Sequence, residues 1–139
     1  MNLIMRWLRR FDLKQSGLER ISPNDWVKRD QIDYDNGLLI IKLKPNVFIY
    51  GVADTGSMDG LVDYGHNVIL TDEFDRAELA LGDIIAYGLY TKTILHRIVE
   101  VHEDQYGRWY RTRGDNCIDN DPNPVRDIQI KYLCLGILY

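Results

Sequence analysis

Ser57 stands between Gly56 and Met58, just after a β-branched and aromatic run that ends at Val52. A glycine there frees the backbone to turn, so the hydroxyl can be presented at a strand end. Serine is a poor nucleophile near neutral pH unless a neighbouring base takes its proton, and imidazole is the side chain suited to that task. His96 lies within Ile94-Leu95-His96-Arg97-Ile98-Val99, a titratable ring inside an otherwise β-rich run. The competing bases His66 and His102 each lie in or beside a polar, turn-like segment and have no supporting motif. A third segment, Gly114 to Pro122, is dense in acidic and amide side chains directly after a strand pattern. It reads either as a turn whose Asx side chains bond their own backbone, or as the source of a carboxylate that fixes the imidazole tautomer. Each feature alone has an ordinary structural reading: a turn serine, a strand histidine, an Asx turn.

Seven runs are expected to be short strands, each punctuated by Gly, Asp, Asn or Pro: 38–43, 47–52, 68–71, 84–87, 94–101, 109–113 and 128–138. They predict a mainly β domain of antiparallel strands over residues 36–139, preceded by a helical segment over residues 1–35. In that first segment Leu3, Ile4, Trp7, Leu8 and Phe11 repeat at helical spacing, with Arg6, Arg9, Arg10 and Lys14 on the other face. Such a basic amphipathic helix has two candidate docking surfaces, an anionic membrane interface and a protein face. Ser22, Pro23 and Asp25 resemble a helix start, with Ser22 as N-cap and about two turns running through Trp26 and Val27.

With 139 residues the chain can bury a core without disulfide or metal support. Its net charge of −4, with both signs mixed along the chain, excludes a global basic field for nucleic acid. Cys117 and Cys134 have neither zinc-ligand spacing nor a redox motif, so free thiols, no metal and no cofactor are expected. The longest stretch without Asp, Glu, Lys or Arg is nine residues, 45–53, against the ~20 apolar residues that cross a bilayer. With no leader-like apolar region either, the cytoplasm is the expected location, with peripheral membrane contact through the first helix.

Taken in order, these segments resemble the signal peptidase I family in its archaeal and endoplasmic-reticulum branch, within the LexA/signal-peptidase superfamily. Thr55-Gly56-Ser57-Met58 resembles the family's S-G-S-M box and Gly82-Asp83-Ile84-Ile85 its G-D-I-V strand start. Leu95-His96-Arg97-Ile98-Val99 resembles its V-H-R-V segment and Gly114-Asp115-Asn116 its G-D-N box. The likeness covers about residues 48–138. It implies a LexA/signal-peptidase-like β fold and a serine endopeptidase in which Ser57 attacks and His96 serves as base. Asp121 then orients His96, because it falls six residues beyond the Asp of the G-D-N box; Asp115 is the alternate, and Asp119 matches no role. The oxyanion would be held by the Ser57 backbone N–H and the Thr55 hydroxyl. Bacterial members and LexA-like repressors carry Lys where this chain has His96, and Lys92 lies four residues too early to replace it. Two departures stand out: Gly60 occupies the place of a family proline, and the family's membrane-spanning anchors have no counterpart in this sequence.

The implied substrate is an extended peptide or protein segment bound along a strand edge, with small residues beside the cleaved bond. Two other uses of such a fold are a LexA-like self-processing regulator and a catalytically silent interaction module. Against the regulator, the chain has no Ala-Gly or Cys-Gly bond and no helix-turn-helix pattern ahead of the domain. If His96 is the base, activity disappears on the acid side of neutrality as the ring takes a proton. A pH–rate profile checks this, and activity confined to alkaline pH would point to Lys92.

Overall fold

The computed structural model describes residues 20–44 and 46–139. Among the described residues, nine strands appear in chain order: β1 (Ile32–Asp35), β2 (Leu38–Ile41), β3 (Val47–Gly51), β4 (Asn67–Thr71), β5 (Ile84–Leu89), β6 (Lys92–Asp104), β7 (Gly107–Arg113), β8 (Val125–Arg126) and β9 (Ile130–Leu138). β1 and β2 form a separate hairpin, and the other strands make one sheet in the order β3-β4-β9-β5-β6-β7-β8. Every pairing is antiparallel, so the chain is mainly β, as its strand runs imply.

Alternation along β5 shows how one sheet is buried on both sides. Ile85 and Tyr87 join Ile98, Tyr110 and Leu133 in one apolar cluster, while Ile84 and Ala86 join Met58, Val68 and Leu70 in another. Successive side chains on a strand point to opposite faces, so covering both faces produces the continuous apolar run Ile84 to Tyr87. β6 outlasts its expected span because charged residues at its far end still pair with β7, down to Asp104 opposite Gly107.

Two expected elements differ. Ile32–Asp35 is a strand where no strand was expected, because Asn36 and Gly37 both take positive φ, 48° and 82°. Two consecutive residues of that kind make the tight turn that returns one strand against another. This hairpin straddles position 35/36, where the sequence suggests a boundary between segments. The helix expected from Ser22 is absent as well: residues 20–28 are irregular, with only a single 3-10 turn at Arg29–Gln31. Asp83, fully buried, accepts from the Asn24 amide at 2.8 Å and from the Trp26 indole at 2.8 Å. Those tertiary bonds take the groups that a first helical turn would have to place elsewhere. Gly82, at φ +95°, presses directly on the Ser22 backbone, leaving no room for a side chain. The amphipathic segment expected at residues 3–14 lies outside the described residues. Among the described residues, no helix is long and apolar enough to cross a membrane.

Asp83 also accepts from Asn24 Nδ2 at 3.2 Å and from the Ala80 amide at 2.9 Å. Asp83→Ala would leave these donors unpaired and is expected to lower stability by about 3 kcal/mol. Urea denaturation checks this, with a reduced midpoint at unchanged slope as the expected result.

Candidate active site

Ser57 opens a turn in the long connection between β3 and β4. Gly56, at φ +70°, reverses the chain just before it. Met58, 4% exposed, roots the turn in the apolar cluster just after it, and its carbonyl accepts from the Val62 amide at 3.0 Å. A second segment clamps the same turn. The Asn116 amide donates to the Ser57 carbonyl at 2.9 Å, and Asn116 Nδ2 donates to the Gly56 carbonyl at 2.9 Å. Gly114 makes this approach feasible: a Cβ there would collide with the Ser57 carbonyl and lie 3.0 Å from His96 Nε2. The Gly114-Asp115-Asn116 box therefore shapes the serine turn.

His96 projects from β6 opposite Ile85 and is 8% exposed. Its Nε2 lies 3.0 Å from Ser57 Oγ, and its Nδ1 lies 2.7 Å from Asp121 Oδ2. A carboxylate only accepts, so Nδ1 carries the hydrogen and Nε2 is left as an acceptor for the serine hydroxyl. Asp121 is itself fixed at its main chain, where its amide donates to the Thr112 carbonyl at 2.8 Å. Its Oδ2 also accepts from Tyr87 Oη at 2.9 Å and from Thr112 Oγ1 at 2.6 Å. Burial, with the Asp121 charge beside it, raises the Tyr87 phenol well above its ordinary range, so this hydrogen stays on the tyrosine. Thr55 Oγ1 lies 3.3 Å from Ser57 Oγ, on the rim of the same site.

The structure thus gathers Ser57, His96, Asp121 and Thr55; Asp115, His66, His102 and Asp119 have other surroundings, while Lys92 lines the same pocket as Ser57 and His96 without bonding either. Asp115 is held by Arg97 through two bonds, 2.8 Å to Nε and 2.7 Å to Nη2, and this partner raises the guanidinium's already high pKa. That fork engages both oxygens of the alternate carboxylate. Lys92 begins β6, four residues from His96, which is about 13 Å along a strand. His66 accepts from the Asp63 amide through Nδ1, and His102 bonds Glu100 and stacks on Trp109. Asp119 is exposed. Cys117 and Cys134 are both free, and burial raises the Cys134 thiol to about 11.

Sequence reasoning did not single out Tyr87, Thr112 or Asn116 for these positions. Tyr87 and Thr112 look like ordinary strand residues; only the strand order, which places β5, β6 and β7 side by side, brings them to Asp121. Beside the Ser57–His96 pair opens a groove of about 630 Å³. Residues 50–53 line one wall and residues 92–95 the other, over Val68, Leu70 and Ala86.

No family model matches the chain, and no solved structure matches it. Signal peptidase I W of Bacillus subtilis (strain 168) is 30% identical over 91 residues, 63% of this chain and 48% of that protein. The chain spans about half the length of that curated relative, and the similarity is a distant one to a signal peptidase.

Gly114→Ala would force the Asn116 segment away from the serine turn. Its expected effects are a loss of stability of about 1–3 kcal/mol, as for other overpacked sites, and slower labelling of Ser57 by a fluorophosphonate. Denaturant titration and labelling rates measure the two separately.

Proposed function

We propose that this chain is a serine endopeptidase of the signal peptidase I kind, with Ser57 as nucleophile, His96 as general base and Asp121 as its orienting carboxylate. The observation that carries the reading is the unbroken line Ser57 Oγ, His96 Nε2, His96 Nδ1, Asp121 Oδ2, with spacings of 3.0 and 2.7 Å. A resting serine bonded to an acceptor nitrogen is set to lose its proton as its oxygen attacks a carbonyl.

In this mechanism Ser57 Oγ bonds to the scissile carbon while its proton passes to His96 Nε2. The imidazolium so formed is stabilised by Asp121, whose charge is steadied by Tyr87 and Thr112. Negative charge on the former carbonyl oxygen is met by the Ser57 backbone N–H and the Thr55 hydroxyl. His96 then gives its proton to the leaving amine, and the C–N bond breaks to leave an ester on Ser57. Water, deprotonated by the same imidazole, attacks that ester and releases the acid product and the free serine.

The substrate we infer is an extended peptide. β6 supports this: β7 pairs with it only from Arg97 onward, so among the described residues no strand pairs with the outer edge of residues 92–96, which line the groove. Main-chain bonds to such an edge hold a peptide irrespective of its sequence, and the groove then selects side chains. The apolar floor of Val68, Leu70 and Ala86 suits a small apolar residue at the cleaved bond.

Cleavage of a peptide library by the native chain tests the reading. Ser57→Ala and His96→Ala are expected to abolish it, Asp121→Ala to lower turnover by about 10²–10⁴, and Thr55→Val by about 10². Tyr87→Phe and Thr112→Val each remove one donor to Asp121 and are expected to slow turnover by roughly tenfold or less. A library left intact by the native chain, with a detergent-solubilised leader substrate also uncut, would favour a catalytically silent interaction module.

A further inference from the structure

β9 does not pair evenly with β5. Ala86 stands opposite Tyr132 and Tyr87 opposite Ile130, so Lys131 is the extra residue of a bulge. Bulges re-aim side chains, and this one brings Lys131 to the groove together with Tyr132, while Ile130 stays in the opposite apolar cluster. The lysine stem crosses Gly88, where a Cβ would come within 3.1 Å of Lys131 Cε. Its Nζ ends at Thr93 Oγ1, 3.1 Å away. Among the described residues, no carboxylate forms an ion pair with it. One hydrogen goes to Thr93, leaving two for another acceptor.

Thr93 lies on the stretch of β6 whose outer edge no described strand pairs with, three residues from His96, about 10 Å along a strand. Thr93 and Leu95 are opposite Gly88 and Ala86, so both side chains face the groove floor. A peptide laid along this edge therefore turns one side chain toward Leu95, beside the Ser57–His96 pair, and another toward Thr93 and Lys131, two residues further on. In the other direction β7 occupies the edge from Arg97, so the groove runs one way from Ser57. The part of a substrate that fills it is the acyl part, which must stay bound while water replaces the amine. Of the other charged groups lining the groove, Asp63 lies beside the nucleophile turn. Lys92, paired with Leu89, starts on the opposite face from Thr93.

We propose that Lys131 is a specificity-determining residue, and that the substrate carries an acidic side chain two residues before the one that supplies the scissile carbonyl. This rests on the peptidase reading of the groove. A small residue fills the place over Ala86, and a carboxylate reaches the ammonium that Thr93 holds. Because the pair is open to water, its contribution is modest and sensitive to salt.

The test uses three labelled peptides that differ only at that position, bearing Glu, Ala or Lys, titrated against the Ser57→Ala chain and followed by fluorescence anisotropy. Binding needs no serine hydroxyl, so its outcome is separate from cleavage, which the native chain reports in parallel. The Glu peptide is expected to bind roughly three- to fivefold tighter than the Ala peptide, with the Lys peptide weakest. The order should vanish with Lys131→Met on the Ser57→Ala background, invert with Lys131→Glu, persist with Lys131→Arg, and shrink at about 1 M salt. Equal binding of the three peptides, no binding of any, or a Glu preference that survives Lys131→Met overturns the proposal. Cleavage without any such preference would leave the peptidase reading standing and remove this one.

Discussion

One buried imidazole joins, at a single point, a turn before β4, its own strand β6 and a loop after β7. His96 is fixed at both nitrogens, by Asp121 on one side and Ser57 on the other, and its own strand sits between β5 and β7. Because the carboxylate fixes which nitrogen carries the hydrogen, the serine side of the ring is left as an acceptor. The role of each neighbour follows from that single assignment. Tyr87 and Thr112 are useful because they donate to Asp121, and Asn116 because it holds the serine turn within reach of the ring.

The sheet supports this arrangement by separating two tasks between its faces. On one face Ile85, Tyr87 and Ile98 pack tightly and carry the polar line of Tyr87, Thr112 and Asp121 at their edge. On the other, Ala86 keeps the surface low enough for a groove, with Met58 anchoring the serine turn from below. Strand alternation gives both surfaces from the same residues, so a slip of one position would exchange core for groove. Asp83 performs a comparable task at the start of β5, tying the 22–26 segment to the sheet by bonds from Asn24 and Trp26.

The parts that could be read from the sequence are those carried by local pattern. β-branched runs marked most of the strands, and the four short boxes marked Ser57, His96 and the acidic loop that contains Asp121. Residues whose role depends on pairing were not readable in this way. Thr112 faces Asp121 only because β7 lies next to β6, and the bulge at Lys131 exists only once β9 is set against β5. The helix expected from Ser22 failed for a related reason: local capping preference was outweighed by a buried carboxylate far along the chain. Between Asp115 and Asp121, spacing left two carboxylates open, and the fork of Arg97 around Asp115 leaves only Asp121 beside the ring.

The partners of His96 lie 39 residues before it and 25 residues after it in the chain. Contacts of such sequence separation form late, because chain entropy must be overcome before they contribute. A growing or partly folded copy therefore holds Ser57 as an ordinary alcohol, with no ring beside it. Ser57 meets its imidazole only once the chain out to β6 has formed, and the Asp121 end of the line needs the chain beyond β7 as well.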